Sequence, residues 1–394
     1  MSDGLARSPA TGLPGQAQAA AAPPDRSAFW HRALAWGVAA LLVVGLCMAV
    51  IALARQADNG ERFDLAGWRD GTLGHQIEGT IDVPYARTLH RWQAALRYRM
   101  LGDLGHQVRE GCPGWLFYAD GLRPPPAAAG QVRQIGVPGA DALLDARIAT
   151  LHRYADALRK DGIRLLVVTV PDKARVETQA LCGLHQDARM TLRLTGWQQA
   201  LDAAGVTRVE LLPTLQQASP AYFRTDVHWN ARGAQAAANV IGAAVLPLLG
   251  GRGEGRFEHK QGAAEPRVGD LLTLAGLGEV PDAWRPAPDM VAPQTISAVH
   301  SGGLLDDAPP VEVMLAGSSF SRRSEFAGRL GEQLGREVWN VSLDDGQFDR
   351  AMQAMWNKRA TWPKSVRVLV WEMSEDALHL PAPSHIAPAN GTSH

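Results

Sequence analysis

Ile163-Arg-Leu-Leu-Val-Val-Thr-Val170 is nearly continuous in apolar side chains, the pattern of a strand covered on both faces. The segments on either side decide the fold. Upstream, Leu143, Leu144, Ile148, Leu151, Ala155 and Leu158 recur mostly at steps of three and four. That spacing predicts a helix over 140–161 with one buried stripe, ended by Gly162. Downstream, a helix over 189–204 ends at Gly205, and Val206–Leu212 reads as the next strand. Asn230 can cap a helix running from Ala231 to about Leu246, where Pro247 stops it. Residues 250–300 are rich in Gly, Pro and charge and read as a long irregular excursion. The alternation then resumes. Val311–Ala316 is a strand, and Phe326, Leu330 and Leu334 line a helix closed by Gly335. Glu337–Val341 is a strand, Phe348, Met352 and Met355 mark a helix, and Ser365–Trp371 is the last strand. Strands separated by helices predict an α/β three-layer sandwich around a parallel sheet.

Toward the N-terminus the character changes. Ala33–Ala54 is a run of 22 residues without a charge, long enough at about 1.5 Å per residue to cross a bilayer core of about 30 Å. Trp30 and Trp36 sit where an indole prefers the lipid–water boundary, and Arg26, His31 and Arg32 precede the span. This bias puts the N-terminus in the cytoplasm and the rest of the chain outside it. The run exceeds the usual apolar core of a cleaved signal peptide. The expected organisation is a disordered tail at 1–32, a transmembrane anchor at 33–54 and a stalk with an amphipathic helix at 55–110. The α/β domain at 111–378 and a flexible tail at 379–394 follow.

Composition removes several classes of function. With 39 Lys+Arg against 40 Asp+Glu in 394 residues the formal charge is −1, without the basic footprint of a nucleic-acid binder. Three cysteines and no Cys-x-x-Cys pair exclude a disulfide miniprotein or a zinc ribbon. Export permits a disulfide, and Cys112 and Cys182 are the candidates once Cys47 is placed in the membrane. Two free thiols are the alternative.

Three segments at strand ends carry reactive residue types, and ligands gather at the C-terminal ends of strands in open α/β sheets. In Gly317-Ser-Ser-Phe-Ser321 a glycine turn lets a hydroxyl project beside free amides of the next helix. It is equally a plain helix cap. In Tyr222-Phe-Arg-Thr-Asp-Val-His-Trp-Asn230 the two-residue spacing of Asp226 and His228 places both on one side of an extended chain. The pair suits a catalytic base with its orienting carboxylate, two metal ligands, or a structural polar cluster. A metal is disfavoured because no second His/Cys cluster accompanies it. In Trp339-Asn-Val-Ser-Leu-Asp-Asp-Gly346, Asn340 and Gly346 are candidate oxyanion donors. Trp229 beside His228, and Lys173 and Arg175 at another strand end, are candidate substrate contacts.

Taken in order, Gly114-Trp-Leu-Phe117, Val170-Pro-Asp-Lys-Ala-Arg175, Tyr222–Trp229, Gly269-Asp-Leu271, Gly317–Ser321 and Val370-Trp-Glu372 resemble the alginate O-acetyltransferase group of AlgJ/AlgX-like proteins. The resemblance spans about residues 105–375. It implies an SGNH-hydrolase-like domain with permuted motif order, in which the Asp-x-His pair precedes the serine. Ser319 would then be the nucleophile, His228 the base and Asp226 its orienting partner. The implied activity is transfer of acetyl to sugar hydroxyls of an exported polysaccharide through an acetyl-serine, at the periplasmic face of the inner membrane. No bound cofactor or metal is implied. The acetyl group would come from cytosolic acetyl-CoA through a membrane-bound O-acyltransferase, alongside other exopolysaccharide secretion proteins. A polysaccharide acetylesterase using the same residues, and a non-catalytic scaffold subunit of a secretion complex, are the competing readings. Ser318 stands where the group often has Thr, and Leu343-Asp-Asp-Gly-Gln347 stands where it tends toward a glycine-rich turn.

Overall fold

The computed structural model describes residues 26–58, 84–123, 141–300 and 310–378. The chain divides into two units, Met1–Thr88 and Leu89–His394. The described part of the first contains the helix Arg26–Asp58, in which Trp30–Ile51 is long and apolar enough to cross a membrane and Cys47 is exposed. The tails at 1–25 and 379–394, and the stretch 59–83 that holds most of the expected stalk, lie outside the described residues.

The second unit carries eleven described strands: β1 Val108–Glu110, β2 Leu116–Tyr118, β3 Arg164–Val170, β4 Arg208–Val209, β5 Arg256–Gln261, β6 Glu265–Arg267, β7 Asp289–Val291, β8 Gln294–Val299, β9 Val313–Ala316, β10 Val338–Asn340 and β11 Val368–Ser374. Five of them form a wholly parallel sheet in the order β10-β9-β11-β3-β4. The seven-residue pairing of β11 with β3 is its spine, from Val368 opposite Arg164 to Ser374 opposite Val170.

Strand alternation splits the core into two layers. Leu166, Val168, Val170, Leu315, Val368 and Val370 face one side and meet the helices Leu212–Gln217, Ala231–Leu249 and Phe326–Leu334. Val167, Met314, Leu369, Trp371 and Met373 face the other and meet Asp141–Lys160, Ala188–Ala203 and Arg350–Trp356. The three-layer sandwich predicted from the sequence is therefore the observed fold.

Some local expectations change. Pro247 does not stop its helix, which continues to Leu249 and ends at Gly250 in the left-handed region, φ 80°. A proline so near the end removes only one backbone bond and leaves the last turn intact. Val206–Leu212 supplies a strand only at Arg208–Val209, and its end winds into a short helix with Pro213 in the first turn. Residues 250–300 are not irregular: β5 pairs with β8 and β6 with β7, both antiparallel. The compact unit also begins earlier than residue 111. Ala94 and Ala95 of the helix Pro84–Leu101 pack with Leu104, Leu116 and Leu271 in a third buried cluster.

Cys112 and Cys182 are bridged, with Cα atoms 4.8 Å apart. The bridge fastens the β1–β2 ribbon to the segment after Lys173–Val176, where the Cys112 amide also donates to the Ala180 carbonyl at 2.8 Å.

Candidate active site

Three strand ends converge. β9 runs into Gly317-Ser318-Ser319, β3 into Pro171-Asp172-Lys173 and β11 into Glu375-Asp376. A pocket of about 530 Å³ opens there, with Ser319, His228, Asp270, Asp172 and Lys173 in its wall.

Ser319 opens the four-residue helix Ser319–Arg322, capped by the Ser318 hydroxyl, which accepts from the Phe320 amide. At the first helical position the Ser319 amide has no partner within the helix. The turn before it is held by Glu372. This buried carboxylate accepts from the Ser318 amide at 2.7 Å, the Ser318 hydroxyl at 2.8 Å and the Ser321 hydroxyl at 2.6 Å. Burial raises the Glu372 pKa against the lowering effect of these bonds. Gly317 is needed here because a Cβ would lie 2.3 Å from the Ser321 Oγ and 2.8 Å from the Glu372 carboxylate.

Asp226 and His228 come from a bend rather than an extended stretch. Tyr222 and Trp229 bridge its two ends, and the Asp226 carboxylate accepts the His228 backbone amide at 3.0 Å, folding the chain back on itself. The loop is fixed from both sides. The Asp289 carboxylate accepts from the Arg224 amide and from the amide and hydroxyl of Thr225. The Lys173 ammonium donates to the carbonyls of Leu116, Arg224 and Asp226 at 2.6, 2.7 and 3.1 Å. It also lies over the Trp115 and Phe117 rings. Burial pulls the Lys173 pKa down to about 7, while three carbonyl acceptors match the three protons of the charged form.

The sequence-predicted groups meet. His228 Nε2 lies 2.8 Å from Ser319 Oγ, and His228 Nδ1 lies 2.7 Å from Asp226 Oδ1. With Nδ1–H donating to the carboxylate, Nε2 accepts the serine hydroxyl. A second carboxylate, Asp270 Oδ2, stands 3.3 Å from the same Nδ1. Burial lowers the His228 pKa, but the Asp226 and Asp270 carboxylates outweigh it and the net shift is upward. Burial would raise Asp226, yet its bonds to His228 and the charges of His228 and Arg267 hold it well below the usual carboxylate range.

Asp226, His228 and Asp270 form a group compact enough for a cation. Asp226, however, already spends both oxygens. Oδ1 serves His228, and Oδ2 accepts from Arg267 at 2.7 Å and from the Asp270 amide at 3.4 Å. A guanidinium where a metal's neighbour would sit fits an ion-paired carboxylate better than a ligand set.

Other sequence candidates end up elsewhere. Trp229 is fully buried, donates to the Phe320 carbonyl at 3.1 Å and packs on Phe320 and Phe326; it supports the serine turn from the core and offers no face to substrate. Arg175 is buried in an ion pair with Glu375, which also binds Arg193, so it belongs to the pocket's foundation. Asn340 donates to the Ser321 carbonyl at 3.3 Å while its oxygen accepts from Ser342, which ties β10 to the serine helix and spends the side-chain amide. Gly346 lies against Ser318: a Cβ there would sit 3.0 Å from the Ser318 Cα. In the sequence Glu372 and Asp270 stand out only as members of longer motifs, and Asp289 and Arg267 lie in the stretch that reads as irregular.

Sheet, helices and the serine turn together define an SGNH hydrolase-like domain. The family described as an SGNH hydrolase-like domain of acetyltransferase AlgX matches residues 108–375. The chain belongs to that family, and it is an enzyme of the O-acetyltransferase class. A probable alginate O-acetylase AlgJ of Pseudomonas putida is 28% identical over 324 residues, covering 78% of this chain and 80% of the relative. That of Pseudomonas aeruginosa is 27% identical over 328 residues, with the same coverage, 78% and 80%. The solved O-acetyltransferase domain of Pseudomonas putida AlgJ superposes with a TM-score of 0.57 at 25% identity, covering 69% of this chain and 92% of that one.

Proposed function

We propose that this chain is a membrane-anchored O-acetyltransferase that acetylates sugar hydroxyls of an exported polysaccharide through an acetyl-serine on Ser319. The observation that carries the reading is the continuous relay from Ser319 Oγ through His228 to Asp226, at 2.8 and 2.7 Å. The relatives named as alginate O-acetylases support an acyl-transfer reaction on a polysaccharide.

In the first half-reaction His228 Nε2 takes the hydroxyl proton as Ser319 Oγ attacks the acetyl carbonyl of the donor. The imidazolium that forms is stabilised by Asp226 and Asp270 and returns the proton to the leaving group. In the second, His228 Nε2 takes the proton of a sugar hydroxyl as its oxygen attacks the acetyl-serine carbonyl, and returns that proton to Ser319 Oγ as the bond between Oγ and the acyl carbon breaks. The Ser319 amide at the helix start, with the Gly346 backbone against Ser318, is the proposed oxyanion site. The acetyl donor is a membrane-bound O-acyltransferase drawing on cytosolic acetyl-CoA. The apolar helix anchors the chain in the inner membrane with the N-terminus cytoplasmic and the α/β unit in the periplasm.

The test uses the full-length chain in detergent with a chromogenic acetyl ester. Turnover by the native chain and a fall of about 10³-fold or more in Ser319→Ala is the expected result. Equal rates in the two proteins, or none in either, overturns the acyl-serine. Acetyl recovered on an added polysaccharide separates transfer from hydrolysis.

A further inference from the structure

The helix Pro84–Leu101 turns its faces to different surroundings. Ala94 and Ala95 are buried with Leu104, Leu116, Leu271 and Leu272. On the far side Leu89, Trp92, Leu96 and Met100 are 43 to 76% exposed. At about 100° per residue these four share a stripe about 80° wide, opposite the two alanines. Trp92 meets the Trp284 ring edge-on, centroids 5.8 Å apart, which braces its indole at the surface.

Charge narrows what could cover such a stripe. The helix carries arginines at 87, 91, 97 and 99 and no acidic residue. Arg91 pairs with Glu279, and Arg97 with Asp103 at 3.3 Å. Arg99 borders the stripe, exposed, with no hydrogen-bond or ion-pair partner among the described residues. Basic groups beside an apolar face of Trp and Leu are the features of a helix lying in the plane of an anionic lipid surface. Acyl chains take up the aliphatic stripe, the indole suits the boundary, and phosphates accept from guanidinium. Lipid is also within reach of this helix. The chain comes to it from the apolar helix Arg26–Asp58 through residues 59–83, a stretch that spans at most about 90 Å. Its inner face adjoins the site. Leu271 and Leu272 belong to the short helix Asp270–Leu274, whose first residue stands 3.3 Å from His228 Nδ1. Leu274 lines both the catalytic pocket and the cleft beside His90, Gln93 and Arg97.

We propose that the outward face of the helix Pro84–Leu101 lies on an anionic phospholipid bilayer, a peripheral membrane contact separate from the apolar span. Seated there, the helix holds the mouth of the catalytic pocket close to the lipid headgroups, where a membrane-borne acetyl donor presents its group. That consequence rests on the proposed acyl transfer; the lipid contact does not.

The experiment places the full-length chain, with Cys47→Ser, in nanodiscs of mixed phosphatidylcholine and phosphatidylglycerol. A nitrobenzoxadiazole label is attached through Leu96→Cys or, for comparison, through Leu192→Cys, an exposed leucine of the helix Ala188–Ala203. Cys112 and Cys182 are bridged and do not take the label. The expected result is that nitroxide-bearing lipid quenches the Leu96 label, most strongly with the nitroxide about 5–10 Å below the headgroups, and leaves the Leu192 label unquenched. Added salt or omission of phosphatidylglycerol weakens the quenching, and Leu89→Ser with Met100→Ser abolishes it. Equal quenching at the two positions, or none at Leu96, overturns the proposal, as does quenching indifferent to lipid charge and to the two serines. A Leu96 label already blue-shifted in detergent, on a particle of doubled mass, assigns the face to a second copy and overturns it too. The two labelled positions need no further variant, so misfolding of the double serine variant would not rescue the idea. Lipid contact in a chain with no ester turnover supports the helix assignment and counts against the acyl-serine alone, and turnover without lipid contact does the reverse.

Discussion

At the scale of single residues, the site depends on carboxylates that each do a different job. Asp226 is buried and doubly bonded, whereas Asp270 is half-exposed and reaches the same imidazole nitrogen from farther away. Asp226→Asn is therefore expected to lower kcat by about 10²–10⁴-fold, because the imidazole loses both its tautomer and its counter-charge. Asp270→Asn should cost less than about tenfold, with a distinct signature. In the proposed mechanism the base works as neutral imidazole, so activity rises with pH through the His228 pKa, which the Asp226 and Asp270 carboxylates hold above the ordinary histidine value against the effect of burial. Removing the Asp270 charge lowers that pKa and moves the acid limb of the pH–rate profile to lower pH. A limb that stays in place would show that Asp270 does not act on His228. Glu372→Gln keeps the shape but sacrifices a charge-assisted acceptor for three donors, and is expected to destabilise by about 1–3 kcal/mol in thermal melts. As candidates, Ser319, His228 and Asp226 were legible in the sequence, although residue type left a helix cap, a metal pair and a polar cluster open and only the family resemblance gave them catalytic roles. Their meeting was not, since 91 residues separate His228 from Ser319 and only the packed sheet joins them. The same holds in reverse for Trp229 and Arg175: residue type suggested sugar and polymer contacts, whereas packing put both inside.

At the scale of elements, two tight approaches set the architecture around the serine. Gly317→Ala would drive a methyl group into the Ser321 hydroxyl and Glu372, so loss of ester turnover is expected even though the strand before it is intact. A soluble variant with native turnover would show that the turn can yield. The Cys112–Cys182 bridge spans a separation of 70 residues, for which chain entropy gives roughly 4 kcal/mol. Cys112→Ser should accordingly lower the melting temperature by several degrees, and reductant should do the same to the native chain. Helices and central strands were readable because each buries one stripe or both faces, which leaves a period in the sequence. The ribbons between 250 and 300 left none. β5 is exposed along nearly its whole length, so no apolar alternation marks it, and its backbone pairing rather than its side chains makes it a strand. Arg267 and Asp289 were lost with it.

At the scale of the whole chain, three buried clusters among the described residues, with a fourth beneath the ribbon, lie between residues 94 and 378. A chain beginning near residue 60 is expected to be soluble without detergent and to keep the full-length rate on the small ester, while losing sedimentation with membranes after alkaline extraction. Aggregation of that shortened chain would mean that the first unit contributes to folding. The disulfide adds a condition of place. Leu116, whose carbonyl Lys173 binds, lies in the ribbon beside Cys112, so the clasp that steadies the histidine loop is completed by an oxidation. A copy held among reducing thiols would carry every residue of the site and still be loosely assembled around the histidine loop, so that maturation of this unit is a matter of redox surroundings as well as of folding.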